Sequence, residues 1–185
     1  MSETVNNFSL ISRLFGNLFY RSPSDPVLNG VFTWLQQKGL EQVWPLDTDK
    51  DSLRAVESLQ MAIEPAVLDT EYQRLFDAEK NAVPVEISAY NIDAEAFTAF
   101  REERNMPAAE SADHFGLVFL TASWIEDNLD SVEAQKTLFE QFLLPCANPF
   151  LAKVEAAAGL PFYRALAQLS REILAAMADE LDEAE

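Results

Sequence analysis

Histidine and cysteine are almost missing from this chain of 185 residues, which holds one of each, His114 and Cys146. A single cysteine rules out an internal disulfide. A fold of this size needs none, so a reducing compartment is the simple inference. Structural and catalytic zinc sites draw on several nitrogen or sulfur ligands, more than one His and one Cys supply. The chain also lacks a glycine-rich phosphate loop, a Cys-x-x-Cys pair, a His-Glu-x-x-His helix and a nucleophile elbow. A Ser-His-Asp triad would have to use His114, which stands where a helix should begin. Paired carboxylates stay open in so acidic a chain, but no pair is marked out by its surroundings. These gaps exclude most catalytic classes and point to a protein that binds, is not an enzyme, and carries no cofactor and no metal.

Basic residues are scarce as well. Thirteen Lys and Arg stand against 31 Asp and Glu, a net charge of −18. Nucleic acid and anionic membranes attract positive charge, so neither is an expected partner. A cationic peptide fits such a chain better. The stretch from Glu86 to Glu133 carries 11 acids and two bases, Arg101 and Arg104. It reads either as a solvated surface or as an acidic groove for a basic ligand. No apolar run is long: Gly116 to Ile125 is far too short to span a bilayer, so no integral membrane association is expected. The first basic residue is Arg13, so no charged leader is visible, and the expected location is cytoplasmic.

Only five glycines occur, all isolated, and apolar residues recur at helical spacing nearly everywhere. Ile11, Leu14, Phe15 and Leu18 predict a first helix over 7–20. Asp25 and Pro26 suit the cap and first position of a second, stopping near Gly39. Trp44-Pro45-Leu46 reads as a connector, and helices follow over 49–61 and 65–77. Residues 78–92 lack helical period and read as a hinge or linker; Val83-Pro84-Val85-Glu86-Ile87 is an edge strand at most. A helix capped by Asp93 runs to Arg104, then a loop covers 106–111. The segment from Ala112 to about Asp127 is apolar on nearly all sides, the mark of a buried central helix. Ser131 caps the next, with Phe139, Phe142, Leu143 and Cys146 on its core face. A short helix from Pro149 to Ala158 ends at Gly159, and Pro161 opens the last, followed by a fraying acidic end, 179–185. The expectation is all-α: a single domain, 1–185, of about eight to ten helices, with halves 1–77 and 93–178 joined by the linker 78–92.

Ala112-Asp113-His114-Phe115-Gly116 is the most informative segment, with an acid beside the sole imidazole at the mouth of the buried helix. In one reading Asp113 caps the helix and His114 satisfies a polar boundary. In the other, both sit at a groove rim and touch a bound peptide, with His114 titrating near neutral pH. Tyr72, Phe76 and Tyr90 flank the linker and read either as core or as a partly exposed apolar recognition surface. Cys146 reads as a buried structural thiol.

Several segments occur in a fixed order. They are Arg13-Leu14-Phe15-Gly16-Asn17-Leu18-Phe19-Tyr20 with Pro23, Trp44-Pro45-Leu46, Glu71-Tyr72-Gln73-Arg74-Leu75-Phe76, Asp113-His114-Phe115-Gly116 with Trp124, and Pro161-Phe162-Tyr163-Arg164-Ala165-Leu166. Over almost its whole length the chain resembles the TorD/DmsD/NarJ family of redox-enzyme maturation chaperones. Leu143-Leu144-Pro145-Cys146 and the acidic C-terminal half are similar to the YcdY-like branch. The resemblance implies an all-α, cytoplasmic chaperone of TorD type, without catalysis or cofactor. Its partner would be a client apo-enzyme of the DMSO/TMAO reductase type, or its twin-arginine signal peptide. The resemblance implies a monomer or a domain-swapped dimer, since some members of the family swap through the hinge between their two helical halves. By motif match it implies peptide contacts at Arg13, Tyr20, Leu75, Phe76, Asp113 and His114, to which Tyr72 is added from its place beside the linker. Gly16, Phe115, Gly116, Trp124, Phe162 and Tyr163 mark the structural motifs. Two departures touch the ligand region. Phe142 and Cys146 stand where many members have His and Trp, and the linker lacks the family's Pro-Pro-aromatic run. The YcdY-like branch implies the alternative of a non-export adaptor for a zinc-dependent phosphatase-like metalloenzyme.

Overall fold

The computed structural model describes residues 2–44, 49–61, 63–76, 83–109, 112–129 and 131–183, with side chains from Phe8 onward. The architecture is all-helical, with no strand among the described residues. Among the described residues ten α-helical segments follow in order: α1 Ser2–Tyr20, α2 Asn29–Gln36, α3 Gly39–Val43, α4 Lys50–Gln60, α5 Pro65–Phe76, α6 Ala94–Glu103, α7 Phe115–Asn128, α8 Val132–Leu138, α9 Leu144–Ala157 and α10 Pro161–Glu183. Pro45, Leu46, the linker's 78–82 and the last two residues, Ala184 and Glu185, lie outside the described residues.

Helices α1 and α7 pack along each other through the middle of the molecule, and α10 lies between α4 and α9. The contact between α1 and α7 is glycine-dependent. A Cβ on Gly16 would come 2.8 Å from Leu120 Cγ, and one on Gly116 would come 2.7 Å from Tyr20 Cβ and 2.8 Å from Tyr20 N. Backbone approach that close excludes any larger residue at either position. At the other end of the crossing Ser9 Oγ donates to Asp127 at 2.6 Å and Ser123 Oγ donates to the Ser9 carbonyl at 3.0 Å. Nine of α7's residues are buried, as its apolar periphery predicts. Phe150 of α9 anchors the aromatic core, stacked on Phe115 at 4.3 Å and on Phe76 at 6.0 Å.

Local chemistry sets several boundaries where expected. Asp25, Asp49, Asp93 and Ser131 each accept an N–H of the turn they cap. Other boundaries differ. Helix α1 begins at Ser2, more than a turn before its apolar stripe starts. Gly39 opens α3 rather than ending the preceding helix. Lys38 takes the left-handed conformation that breaks the chain (φ 65°), and the Trp34 ring occupies the place a Gly39 Cβ would take. The segment around Pro84 makes no strand. Val83 N–H donates to the Leu75 carbonyl, Val85 carbonyl accepts from Phe115 N–H, and Ile87–Tyr90 closes a 3₁₀ turn. The expected short helix from Pro149 is instead part of a rod running from Val132 to Ala157. Phe139–Leu143 forms a π turn in which Leu144 N–H reaches back to the Phe139 carbonyl. That wider turn absorbs the N–H missing at Pro145. The C-terminal acidic stretch stays helical through Glu183 because Leu181 is buried.

Candidate functional site

Tyr20 ends α1 and His114 begins α7, and the glycine contact between those helices brings the two together. Their rings meet edge-on with centroids 4.9 Å apart. His114 is the N-cap of α7: its Nδ1 accepts from Gly116 N–H at 2.9 Å. The expectation that Asp113 caps this helix is therefore corrected, and the helix starts at Phe115 rather than Ala112. An imidazole that accepts at Nδ1 carries its proton on Nε2. Burial pushes the His114 pKa down to about 4, against the opposing pull of Asp113. At that value the imidazole is neutral at pH 7, which does not fit the reading in which His114 titrates near neutral pH.

Asp113 faces the other way. Its two oxygens accept from Ser88 N–H at 3.0 Å and from Ser88 Oγ at 2.5 Å. With the Val85–Phe115 bond, these contacts tie 85–88 to the start of α7. Asp113 stays half-buried, and no basic side chain pairs with it among the described residues.

The remaining sequence candidates divide by depth. Tyr72 is half-buried and donates its hydroxyl to the Phe19 carbonyl at 2.8 Å, joining α5 to the end of α1. Burial, then the nearby Asp69 and Tyr20, push its pKa well up. Leu75 and Phe76 lie inside: Leu75 is fully buried and Phe76 packs against Phe150, Phe19 and Tyr163. Tyr90 is buried too, donating to the Pro84 carbonyl at 2.6 Å. Phe76 and Tyr90 therefore belong to the core reading and not to an exposed surface. Arg13 sits two turns before Tyr20 on α1, about 10 Å along the axis. It pairs with Asp127 at 3.5 Å at the edge of a cleft of about 330 Å³ lined by Leu10, Leu14, Val27, Val31 and Trp34. The structure thus gathers Tyr20, Tyr72, Asp113 and His114, puts Leu75 and Phe76 beneath them, and leaves Arg13 apart.

Of the motif residues, Phe115, Phe162 and Tyr163 are buried, and Trp124 is half-buried on α7. Phe142 lies between Phe97 and Phe100, and Cys146 is fully buried with its thiol donating to the Phe142 carbonyl at 3.0 Å. Burial pushes that thiol up to about 12. Among the described residues no group of three His, Cys, Asp or Glu could hold a metal ion. No helix among them is long and apolar enough to cross a membrane.

Sequence reasoning gave Glu71 no role. This buried carboxylate accepts from Gly159 N–H at 2.6 Å, Leu160 N–H at 2.9 Å and Arg74 at 2.8 Å, holding the turn before α10 onto α5. Burial pushes its carboxyl up, but the Leu160, Arg74 and Gly159 bonds outweigh it and hold the net value down. An acid on the stripe of Leu68, Tyr72 and Leu75 was the available signal. Arg101 was likewise read only as part of the charge count. It is half-buried on the last turn of α6, and its Nε is buried with no hydrogen-bond partner among the described residues.

No family model matches the chain. The chain is 64% identical to an uncharacterized protein of Haemophilus influenzae, over 99% of this chain and 100% of that one. It is 42% identical to the chaperone protein YcdY of Escherichia coli, over 97% and 98%. It is 28% identical to the Tat proofreading chaperone DmsD of Salmonella typhimurium, over 92% and 88%. These last two relatives are named as chaperones, not enzymes.

Proposed function

The chain belongs to the TorD/DmsD family of maturation chaperones, in its YcdY-like branch, and from that premise we propose that it is a cytoplasmic chaperone for a redox-enzyme client. It binds the twin-arginine signal peptide or the apo-subunit of a molybdoenzyme of the DMSO/TMAO reductase type. By doing so it shields apolar surface until the cofactor is inserted and the enzyme is exported. The binding region is the surface around Tyr20, Tyr72, Asp113 and His114. The observation that carries this reading is the Asp113 carboxylate, half-buried, fixed by Ser88 and without a basic partner among the described residues, one residue before the His114 ring that packs on Tyr20. Such a carboxylate can accept a guanidinium through charge-assisted bonds while the rings pack on the following apolar residues. Leu75 and Phe76 support that surface from below, and Arg13 contributes from the neighbouring cleft only if the bound segment runs along α1.

A second reading has its own support. The chain shares more identity with YcdY than with DmsD, and Phe142 and Cys146 fill with apolar packing the positions where many members carry His and Trp. On this reading the client is a leaderless zinc-dependent phosphatase-like metalloenzyme, and the chain is its maturation adaptor.

Affinity capture from the native bacterium under reducing conditions, read by mass spectrometry, tests both. A molybdoenzyme precursor with its leader supports the first, and a leaderless metal hydrolase supports the second. Recovery of nothing above an unrelated acidic protein of equal charge overturns the chaperone reading.

A further inference from the structure

In a chain with 31 acids and 13 bases, an arginine without a carboxylate is the exception. Arg13, Arg21, Arg74, Arg104 and Arg171 each pair with one. Among the described residues Arg54, Arg101 and Arg164 pair with none. Arg101 is shut in, its Nε closed off from solvent. The other two are exposed, and both line one open cleft of about 430 Å³ between α4 and α10.

The cleft follows from what the two helices place along their contact. Ala55 faces it from α4 and Ala165 from α10, and both are buried, so short side chains make its floor. Arg54 and Ser58 stand one turn apart on one wall, and Arg164 and Gln168 one turn apart on the other. From Asp51 to Ser58 the α4 wall runs seven residues, about 10 Å of helix. That length takes roughly three residues of an extended chain. Arg164 is held in place: its guanidinium donates to the Ala158 carbonyl at 2.6 Å, leaving its other N–H groups for a ligand. The Arg54 guanidinium makes no hydrogen bond among the described residues. Asp51 is the one acid in the lining, so two guanidiniums and one carboxylate leave the cleft at +1. Glu172, which Gln168 contacts at 3.2 Å, also takes Ser52 Oγ at 2.6 Å and pairs with neither arginine. The cleft thus inverts the sign of a chain whose net charge is −18. At physiological ionic strength charges beyond about 8 Å are screened, so the local pair decides what enters.

We propose that the α4–α10 cleft docks a short acidic segment of a partner protein, with Arg54 and Arg164 each taking a carboxylate. A guanidinium offers a carboxylate paired N–H donors, and an arginine on each wall fixes where along the cleft two acids must fall. No aromatic ring lines the cleft, so a nucleotide base has nothing there to stack on. Mutual repulsion between chains of −18 argues against a second copy as the occupant. The site is separate from the surface around Asp113 and His114, to which neither α4 nor α10 supplies a residue, and it stands or falls independently of that surface.

The full chain, labelled with ¹⁵N, is titrated with acetyl-triglutamate amide while backbone amides and arginine Nε–Hε resonances are followed. Acetyl-triglutamine amide and inorganic phosphate, at equal ionic strength, are the comparisons. The net charge of the chain predicts repulsion of triglutamate, so saturable binding reports the cleft and not the overall field. The expected result is saturable movement of the Arg54 and Arg164 signals and of amides in 51–58 and 161–168 with triglutamate alone. Arg54→Gln should weaken binding at least about tenfold with a native spectrum, because Arg54 has no internal bond to lose. Arg54→Glu should abolish it. Arg164→Gln should weaken it as well, but it also removes the Ala158 bond, so the Arg54 variants decide. An equal response to triglutamine, no saturable movement in the two segments, or undiminished binding by Arg54→Gln overturns the proposal. Movement with phosphate and none with triglutamate would make the cleft a small-anion site and overturn peptide docking. A concentration-dependent dimer in sedimentation, dissolved by Arg54→Glu, would place a second copy there and overturn the partner assignment.

Discussion

Gly116 lies against Tyr20 so closely that the glycine's absent side chain defines the contact: a Cβ there would stand 2.7 Å from Tyr20 Cβ and 2.8 Å from Tyr20 N. The consequence is functional as well as architectural. The residue that lets α7 touch α1 is the same one whose N–H is accepted by His114, so the close crossing and the neutral imidazole form together.

Gly116→Ala should therefore destabilise the protein by about 2 kcal/mol, because backbone atoms and not a flexible tip must give way. Gly30→Ala is the control. That position, also helical, has nothing within 4 Å of a new Cβ, and the change should stabilise by roughly 0.5 kcal/mol. Urea unfolding of the two variants separates the effects.

Glu71→Ala should cost on the order of 3 kcal/mol, since it strands the Arg74 guanidinium and two N–H groups of the turn before α10. Arg74→Ala should cost less, because Arg74 is the more exposed partner and both backbone donors remain. Chemical denaturation at pH 7 checks the order. The carboxyl of Glu71 is held below its ordinary value of 4.5, so the unfolded chain takes up this proton first. Its stabilisation is complete above that value and is lost as pH falls through the lower folded one.

His114 acts in a higher window. Its pKa is near 4 in the fold and 6.5 when unfolded, so between these values the unfolded chain binds a proton that the folded chain refuses. Stability is full above about 6.5 and declines on acidification toward 4, by on the order of 3 kcal/mol. His114→Asn keeps a side-chain cap for Gly116 N–H and should flatten this part of the profile while leaving the steeper loss below pH 4.5. Melting temperatures measured from pH 4 to 8 give the comparison. An unchanged slope in the variant would assign the acid sensitivity elsewhere.

Cys146 should be inert to a thiol reagent such as 5,5′-dithiobis(2-nitrobenzoate) at pH 8. It is fully buried and its thiol is pushed up to about 12. Reaction should appear only as the protein unfolds. Rapid modification of the native chain would show that the rod around the π turn opens.

Features governed by neighbours in sequence were legible before the structure. Asp25, Asp49, Asp93 and Ser131 announce helix starts because a cap and its N–H lie two or three residues apart. The all-round apolar character of α7 announces a central helix. What failed depends on distant partners. Either Asp113 or His114 could cap α7, and Ser88, 25 residues away, decides it by taking Asp113. Glu71 reads as an ordinary surface acid until Gly159 and Leu160 arrive. Phe76 has the composition of a recognition residue and the surroundings of a core residue, and only Phe150 and Tyr163 distinguish them. The π turn escaped because a helical period of 3.6 does not anticipate one wide turn before two prolines.

The claim at the centre of the account is that the surface around Asp113 and His114 holds the client. The most direct measurement is side-by-side capture of the recovered client by the wild-type chain, Asp113→Ala and His114→Ala, with helicity monitored by circular dichroism. Loss of a charged or desolvated hydrogen bond predicts binding at least about tenfold weaker in each variant, with helicity intact. Undiminished capture by both folded variants would contradict the assignment and move the client to another face of the protein.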